Sequence, residues 1–241
     1  MITVESDINQ IHQDFADCSK TRPLPASQLA AYDRRNPANG LVLDLIDKCP
    51  FFMDKIDSTS KTLSKNSANL FLTNQVRQMV KELLVGQYSM QDDAFEAKAK
   101  QLLRSSEDER YKRELEKFVA YINHVTEKFP VWKEMAALPE GTPRNKVTEK
   151  RSEGWVCLMA TGLVIIGRIG HELFKNQHKD WQSYADKLGT IDWHKNAHLW
   201  DDNIIQNGKV MTQQGPVKGA VDKVRIKIGL PLKELERAKA A

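Results

Sequence analysis

The chain has 241 residues with 41% hydrophobic and 28% charged side chains, which is long enough to bury a sizeable core and too apolar for disorder along its whole length. Its three cysteines, Cys18, Cys49 and Cys157, form no C-x-x-C pair, which excludes a disulfide scaffold and a zinc-finger spacing and suits a reducing compartment. The net charge is +4, and it is unevenly placed. Residues 1–17 contain Glu5, Asp7, Asp14 and Asp17 without a Lys or Arg, so a basic body follows an acidic leading edge, a balance that permits a polyanionic partner. The first residues show no basic stretch followed by an apolar one. The longest apolar run, Trp155 to Gly167, closes at Arg168 and is too short to span a bilayer. These features predict a soluble, cytoplasmic protein with no membrane partner.

In chain order, weak helical patterns at about 25–33, 39–49 and 92–103 flank a stronger stripe of Leu72, Val76, Met79, Val80, Leu83 and Leu84 that stops at Gly86, a residue suited to the position past a helix end. Leu115, Phe118, Val119, Ile122, Val125 and Phe129 repeat at helical spacing. Ser105 or Ser106 is the expected cap and Pro130 the stop. Between Ala136 and Arg151, Pro139, Gly141 and Pro143 punctuate a polar stretch, which predicts a basic linker or exposed loop over 136–153 between helical regions 1–135 and 154–241, or an exposed loop within one continuous domain. A nearly all-round apolar helix follows from Trp155 to Phe174. Gly162, Gly167 and Gly170 lie along it, and such clustering points to the close approach of another helix. Asn207-Gly208 between Ile204-Ile205-Gln206 and Lys209-Val210-Met211 predicts one small hairpin near 204–211. A helix at about 217–228, a Gly229-Leu230-Pro231 break and a short charged helix from about 232 complete a mainly α fold, a multi-helix orthogonal bundle.

Phosphate-loop, dinucleotide, nucleophile-elbow and His-Glu-x-x-His motifs are absent from the sequence, so neither an enzyme nor a bound cofactor is expected. His194 and His198 would share one face if they lay on a helix, and with Asp192 or Asp202 they would suit a metal. The competing interpretation is a turn anchored by Trp193 and Trp200. His171 and Cys157 lie in the apolar helix and read as packed core residues. The basic segments carry more information. Arg144, Lys146, Lys150 and Arg151 cluster within eight residues, and Lys218, Lys223, Arg225 and Lys227 within ten. In the second segment Lys223 and Lys227 fall at i, i+4, while Val217, Val221, Val224 and Ile228 supply an opposing core face. These eight cations are the candidate DNA-phosphate contacts, with an ordinary solvated helix face as the alternative.

Several spaced motifs stand along the chain: Ser6-Asp7-Ile8-Asn9, Ser19-Lys20, Tyr32 to Pro37, Ser58 to Leu72, Gly167 to Gly170 with Leu173, Ile191-Asp192-Trp193, Leu199-Trp200, Gly208-Lys209-Val210 and Gly229 to Leu232. In this series the chain resembles the DndB family of DNA sulfur-modification proteins. The resemblance implies a bacterial protein associated with DNA phosphorothioation, in which sulfur replaces a non-bridging oxygen of the DNA backbone. The family's members act as DNA-binding transcriptional regulators of the modification gene cluster. Double-stranded DNA and other DNA-modification proteins are therefore the implied partners, with self-association left open. The family also carries an upstream Asp-Gly-Gln-His-Arg motif that occurs nowhere in this sequence, so the chain is expected to correspond to the helical part that follows it. The resemblance favours Asp192, Trp193 and Trp200 as a structural clamp over a histidine metal site. Three functions are thus carried forward: a DNA-binding regulator, a helical protein-interaction module, and a metal-dependent hydrolase.

Overall fold

The computed structural model of the chain describes residues 7–18, 32–86, 92–104, 108–139, 143–175 and 180–230. It is mainly α. Among the described residues the α-helices are α1 (Ile8–Cys18), α2 (Pro37–Lys48), α3 (Thr73–Val85), α4 (Asp92–Arg104), α5 (Asp108–Lys128), α6 (Pro130–Ala136), α7 (Arg144–Ser152), α8 (Ala160–Lys175), α9 (Trp181–Gly189) and α10 (Gln214–Ile228). Two pairs of two-residue strands accompany them, β1 (Ile56–Asp57) with β2 (Phe71–Leu72) in parallel, and β3 (Ile205–Gln206) with β4 (Lys209–Val210) antiparallel.

The apolar stripes explain the packing. Val76, Met79, Val80 and Leu83 of α3 are buried, as are Leu163, Ile166, Ile169 and Leu173 of α8, and α3 against α8 is the most extensive helix pairing among the described residues. Aromatic residues fill the space beside it, with Phe51 stacked on Trp132 at 4.3 Å between ring centroids. The buried polar atoms of two of these core rings find partners, as an apolar interior requires. Tyr121 donates its hydroxyl to the Ile166 carbonyl at 2.9 Å, and Trp132 donates its indole N–H to the Cys157 carbonyl at 3.0 Å. One cluster of buried apolar residues runs from Ala38 to Leu230 and takes in Val147 of α7.

Several local expectations meet the structure directly. The α3 stripe ends at Gly86, which has φ +76° and donates its N–H to Glu82 at 2.9 Å. The α5 helix stops at Lys128, and Pro130 occupies the first turn of α6, where a missing N–H costs nothing. The predicted hairpin is present, with Ile205 paired to Val210. Asn207 and Gly208 have φ of +50° and +72°, the signs of a type I′ turn. A side chain at Gly208 would meet open space, so Gly208→Ala carries only the conformational penalty and is expected to lower stability by about 1 kcal/mol. Chemical denaturation checks this.

Other expectations are corrected. The stretch expected to be an exposed linker contains α7, because nothing after Pro143 breaks a helix and the single buried Val147 anchors it. The β1–β2 pair has no counterpart among the sequence expectations, since two-residue strands carry no periodicity. The α1 helix is masked in the sequence by its acidic residues, although Ile8, Ile11 and Phe15 repeat at helical spacing. The apolar helix begins at Ala160, preceded by a short 3-10 turn over Val156–Leu158. Most of the helix expected at 25–33, the Ser105 and Ser106 caps and the helix from 232 lie outside the described residues.

Candidate nucleic-acid interface

The first basic segment forms α7, and its cations have different fates. Arg144 and Lys146 are exposed. Lys150 lies between Glu134 and Glu153, at 2.9 and 3.2 Å. Partial burial opposes its charge, but the hydrogen bonds and charges of the two carboxylates outweigh that effect and raise its pKa. Arg151 donates one Nη1 to the carbonyls of Ser64, Ser67 and Asn69 at 3.1, 3.3 and 3.4 Å, and so ties the segment between β1 and β2 down onto α7.

The second segment lies on α10. Val217, Val221, Val224 and Ile228 are all buried, so the expected core face is present. Lys218 and Lys227 are exposed. The Lys223 ammonium does not project with Lys227, because it donates to the Asp201 carbonyl at 2.8 Å. Arg225 is 2% exposed and pairs with Glu172 of α8. Its charge is spent inside the fold, and solvent sees almost none of it.

Residues 58–70, α7 and the start of α8 enclose a groove of about 740 Å³, lined by Lys61, Lys65, Thr148, Arg151, Ser152 and Met159 among others. Lys61 and Lys65 are exposed. Sequence reasoning did not select them, although they lie in the Ser58 to Leu72 motif and in a tract rich in Ser, Thr and Asn. The tract is held in place at its start as well. Asp57 accepts hydrogen bonds from the backbone N–H of Thr59 and Ser60 at 2.9 and 3.0 Å. Although partial burial of Asp57 opposes its charge, these bonds hold its carboxyl below the usual range. The result is a fixed, cation-bearing loop facing a fixed helix, suited to receive an extended anion.

The histidine pair does not share a helix. His194 bridges to Trp155, and its ring Nε2 is 2.8 Å from the Glu153 carbonyl. The His198 ring is fully exposed and its Nδ1 lies 3.0 Å from Asp201. Among the described residues no cluster of three or more His, Cys, Asp or Glu is placed to hold a metal. The tryptophans do clamp this turn. Trp193 donates to the Leu188 carbonyl at 2.9 Å, Trp200 donates to the Asp192 carbonyl at 3.2 Å, and their rings meet at 5.2 Å. Burial pushes the Cys157 thiol up to about 12, which favours the protonated thiol. His171 sits partly buried with Nδ1 3.1 Å from the Leu83 carbonyl.

The sequence profile of the DndB family, described as DNA-sulfur modification-associated, matches residues 1–231. The chain belongs to the DndB family. Membership ties it to a DNA sulfur-modification system. No curated protein and no solved structure matches it. No described helix is long and apolar enough to cross a membrane.

Proposed function

We propose that this DndB-family protein is a DNA-binding regulatory component of a sulfur-modification system, a cytoplasmic binding protein and not a catalyst, that acts on transcription of the modification genes. The observation that carries this reading is the groove between residues 58–70 and α7, lined by exposed Lys61 and Lys65 and by Arg151, with Arg144 and Lys146 exposed outside the groove lining on the same helix. Arg151 serves it indirectly by fixing the loop. Lys218 and Lys227 of α10 are also exposed, on opposite flanks of that helix. Contacts of this kind bind the backbone without reading bases, so affinity depends steeply on salt.

Fluorescence anisotropy with duplex DNA across a salt series tests the proposal. Lys61→Ala combined with Lys65→Ala is expected to weaken binding to all duplex sequences alike and to lower the slope of log affinity against log salt by about 2, roughly one for each phosphate left without its lysine. Unchanged affinity and slope would remove the groove from the interface. Lys150→Ala is the internal control, since its ammonium is already neutralised by two glutamates.

A second reading has its own observation. Ile8, Ile11 and Phe15 on α1 are 58%, 41% and 50% exposed, an apolar stripe of the sort that contacts other proteins. Co-purification with other modification proteins, together with no measurable DNA affinity, would favour an interaction module.

A further inference from the structure

We propose that the cleft walled by α3, α8 and α10 is a binding site for a phosphate-type oxyanion, separate from the basic groove and independent of the DNA reading placed on it. The cleft encloses about 320 Å³ and shares Gln75 and Ala160 with the groove. Its walls carry the polar side chains of Asn74, Gln78, Thr161, Arg168, Thr212 and Gln214 beside the apolar Ala160, Val164 and Val217.

The first observation is the convergence of three helix starts. Asn74 and Gln75 belong to the first turn of α3, Ala160 and Thr161 to that of α8, and Gln214 opens α10. The helices are 13, 16 and 15 residues long, and none has an acidic residue in its first turn. No side chain caps the start of α10, and the residue before α8 is Met159, whose thioether is a weak acceptor. Helix starts present unpaired N–H groups and the positive end of the helix dipole. Three of them around one cleft, without a carboxylate in any first turn to satisfy them, favour an anion there.

The second observation is independent of the first. Arg168 lines the cleft, its side chain is 8% exposed, and its Nη1 is buried without a hydrogen-bond partner. The rest of the guanidinium is committed, since Nε and Nη2 donate to the two carboxylate oxygens of Glu82 at 2.9 and 3.2 Å. Glu82 also lines the cleft, but both its oxygens are held by this fork, so it does not present a free negative charge. Lys81, another lining residue, is drawn toward Asp92 at 3.2 Å. A buried guanidinium N–H without an acceptor is costly, and an oxyanion would satisfy it with a charge-assisted bond. Amides from Asn74, Gln78 and Gln214 and hydroxyls from Thr161 and Thr212 would supply further donors.

The same chemistry could arrive as the phosphate of a small molecule or as a backbone phosphate of DNA. Thermal melts and calorimetric titrations of the full chain with sodium phosphate, compared with sodium chloride at equal ionic strength, test for the site. A saturable rise in melting temperature specific to phosphate is expected. Gln78→Glu places a carboxylate in the cleft and is expected to weaken phosphate binding about tenfold or more, while its melting temperature without phosphate stays near that of the parent. Arg168→Lys, which keeps the charge but has one ammonium in place of the three guanidinium nitrogens and so cannot serve both Glu82 and an anion, is expected to weaken it similarly.

Phosphate acting no better than chloride, or a folded Gln78→Glu variant binding as tightly as the parent, would overturn the proposal. Displacement of bound phosphate by duplex DNA would assign the site to the backbone, whereas co-binding of both would assign it to a small phosphorylated ligand. Lys61→Ala with Lys65→Ala should leave phosphate binding intact, so a failure of the groove reading and a failure of the cleft reading are separable.

Discussion

Replacing Gly167 by alanine is expected to destabilise the protein by about 2 kcal/mol, even though alanine is intrinsically better than glycine in a helix by about 1 kcal/mol. A Cβ at this position would stand 2.5 Å from the Met79 carbonyl oxygen and 3.2 Å from the Glu82 Cβ, both on α3. The carbonyl cannot turn aside without leaving the hydrogen-bond ladder of its own helix, so the two helices must separate. Separation would loosen the buried packing of Val76, Met79 and Ile166 and stretch the neighbouring Arg168–Glu82 pair. Two comparisons isolate the cause. At Gly170 the nearest atoms to an added Cβ belong to the side chains of Leu83 and Tyr121 and not to the backbone of α3, so the strain there falls on side-chain packing and the helix spacing should be less affected. At Gly215, within α10, nothing lies within 4 Å, and alanine should stabilise by up to about 1 kcal/mol. Urea denaturation should show these differences as midpoint shifts at constant slope. Parental stability in Gly167→Ala would mean that the α3–α8 spacing is not set by this contact.

That glycine is legible without the structure, in the sense that three glycines along an apolar stripe announce a close neighbour. The identity of the neighbour is not, because the α3–α8 pairing joins segments far apart in sequence. The same division runs through the fold. Stripes with several apolar residues at helical spacing, as in α3, α5 and α10, declare themselves locally, and Asn207-Gly208 declares its turn through the backbone sign each residue tolerates. α7 has one buried apolar residue, Val147, so only its lack of breakers marks it. The candidate site is legible in charge but not in exposure. A run of Lys and Arg fixes where cations are along the chain, whereas Glu134, Glu172 and the Asp201 carbonyl, which take up Lys150, Arg225 and Lys223, come from other segments. Lys61 and Lys65 escape a sequence reading for a related reason. Two lysines among serines look dispersed until β1 and β2 pair in register, Ile56 with Phe71, and hold both ends of the loop between them.

Arg225→Met is expected to cost about 3–5 kcal/mol, because it leaves Glu172, 5% exposed, as a buried carboxylate that has lost its arginine. Removing charge from both partners is the decisive comparison. Arg225→Met with Glu172→Gln should recover much of the loss, since a neutral amide is far cheaper to bury than a carboxylate that has lost its arginine. Lys218→Ala and Lys227→Ala, at exposed positions of the same helix, should change stability by no more than about 0.5 kcal/mol. Their effect belongs in the salt dependence of DNA binding, where Arg225 should contribute nothing. The placement follows from helix geometry. Arg225 lies four residues after Val221 and three before Ile228, both buried, so it falls on the apolar side of α10 despite its charge. Lys218 and Lys227 fall at positions that leave the core face. If Arg225→Met kept parental stability and instead flattened the salt dependence, the guanidinium would have to reach solvent in the DNA-bound state, and the buried pair with Glu172 would be a resting arrangement that binding opens. Equal denaturation midpoints for Arg225→Met and the parent, measured beside the salt series, would establish that alternative. A shifted midpoint with an unchanged salt slope would fix Arg225 as a residue of the core.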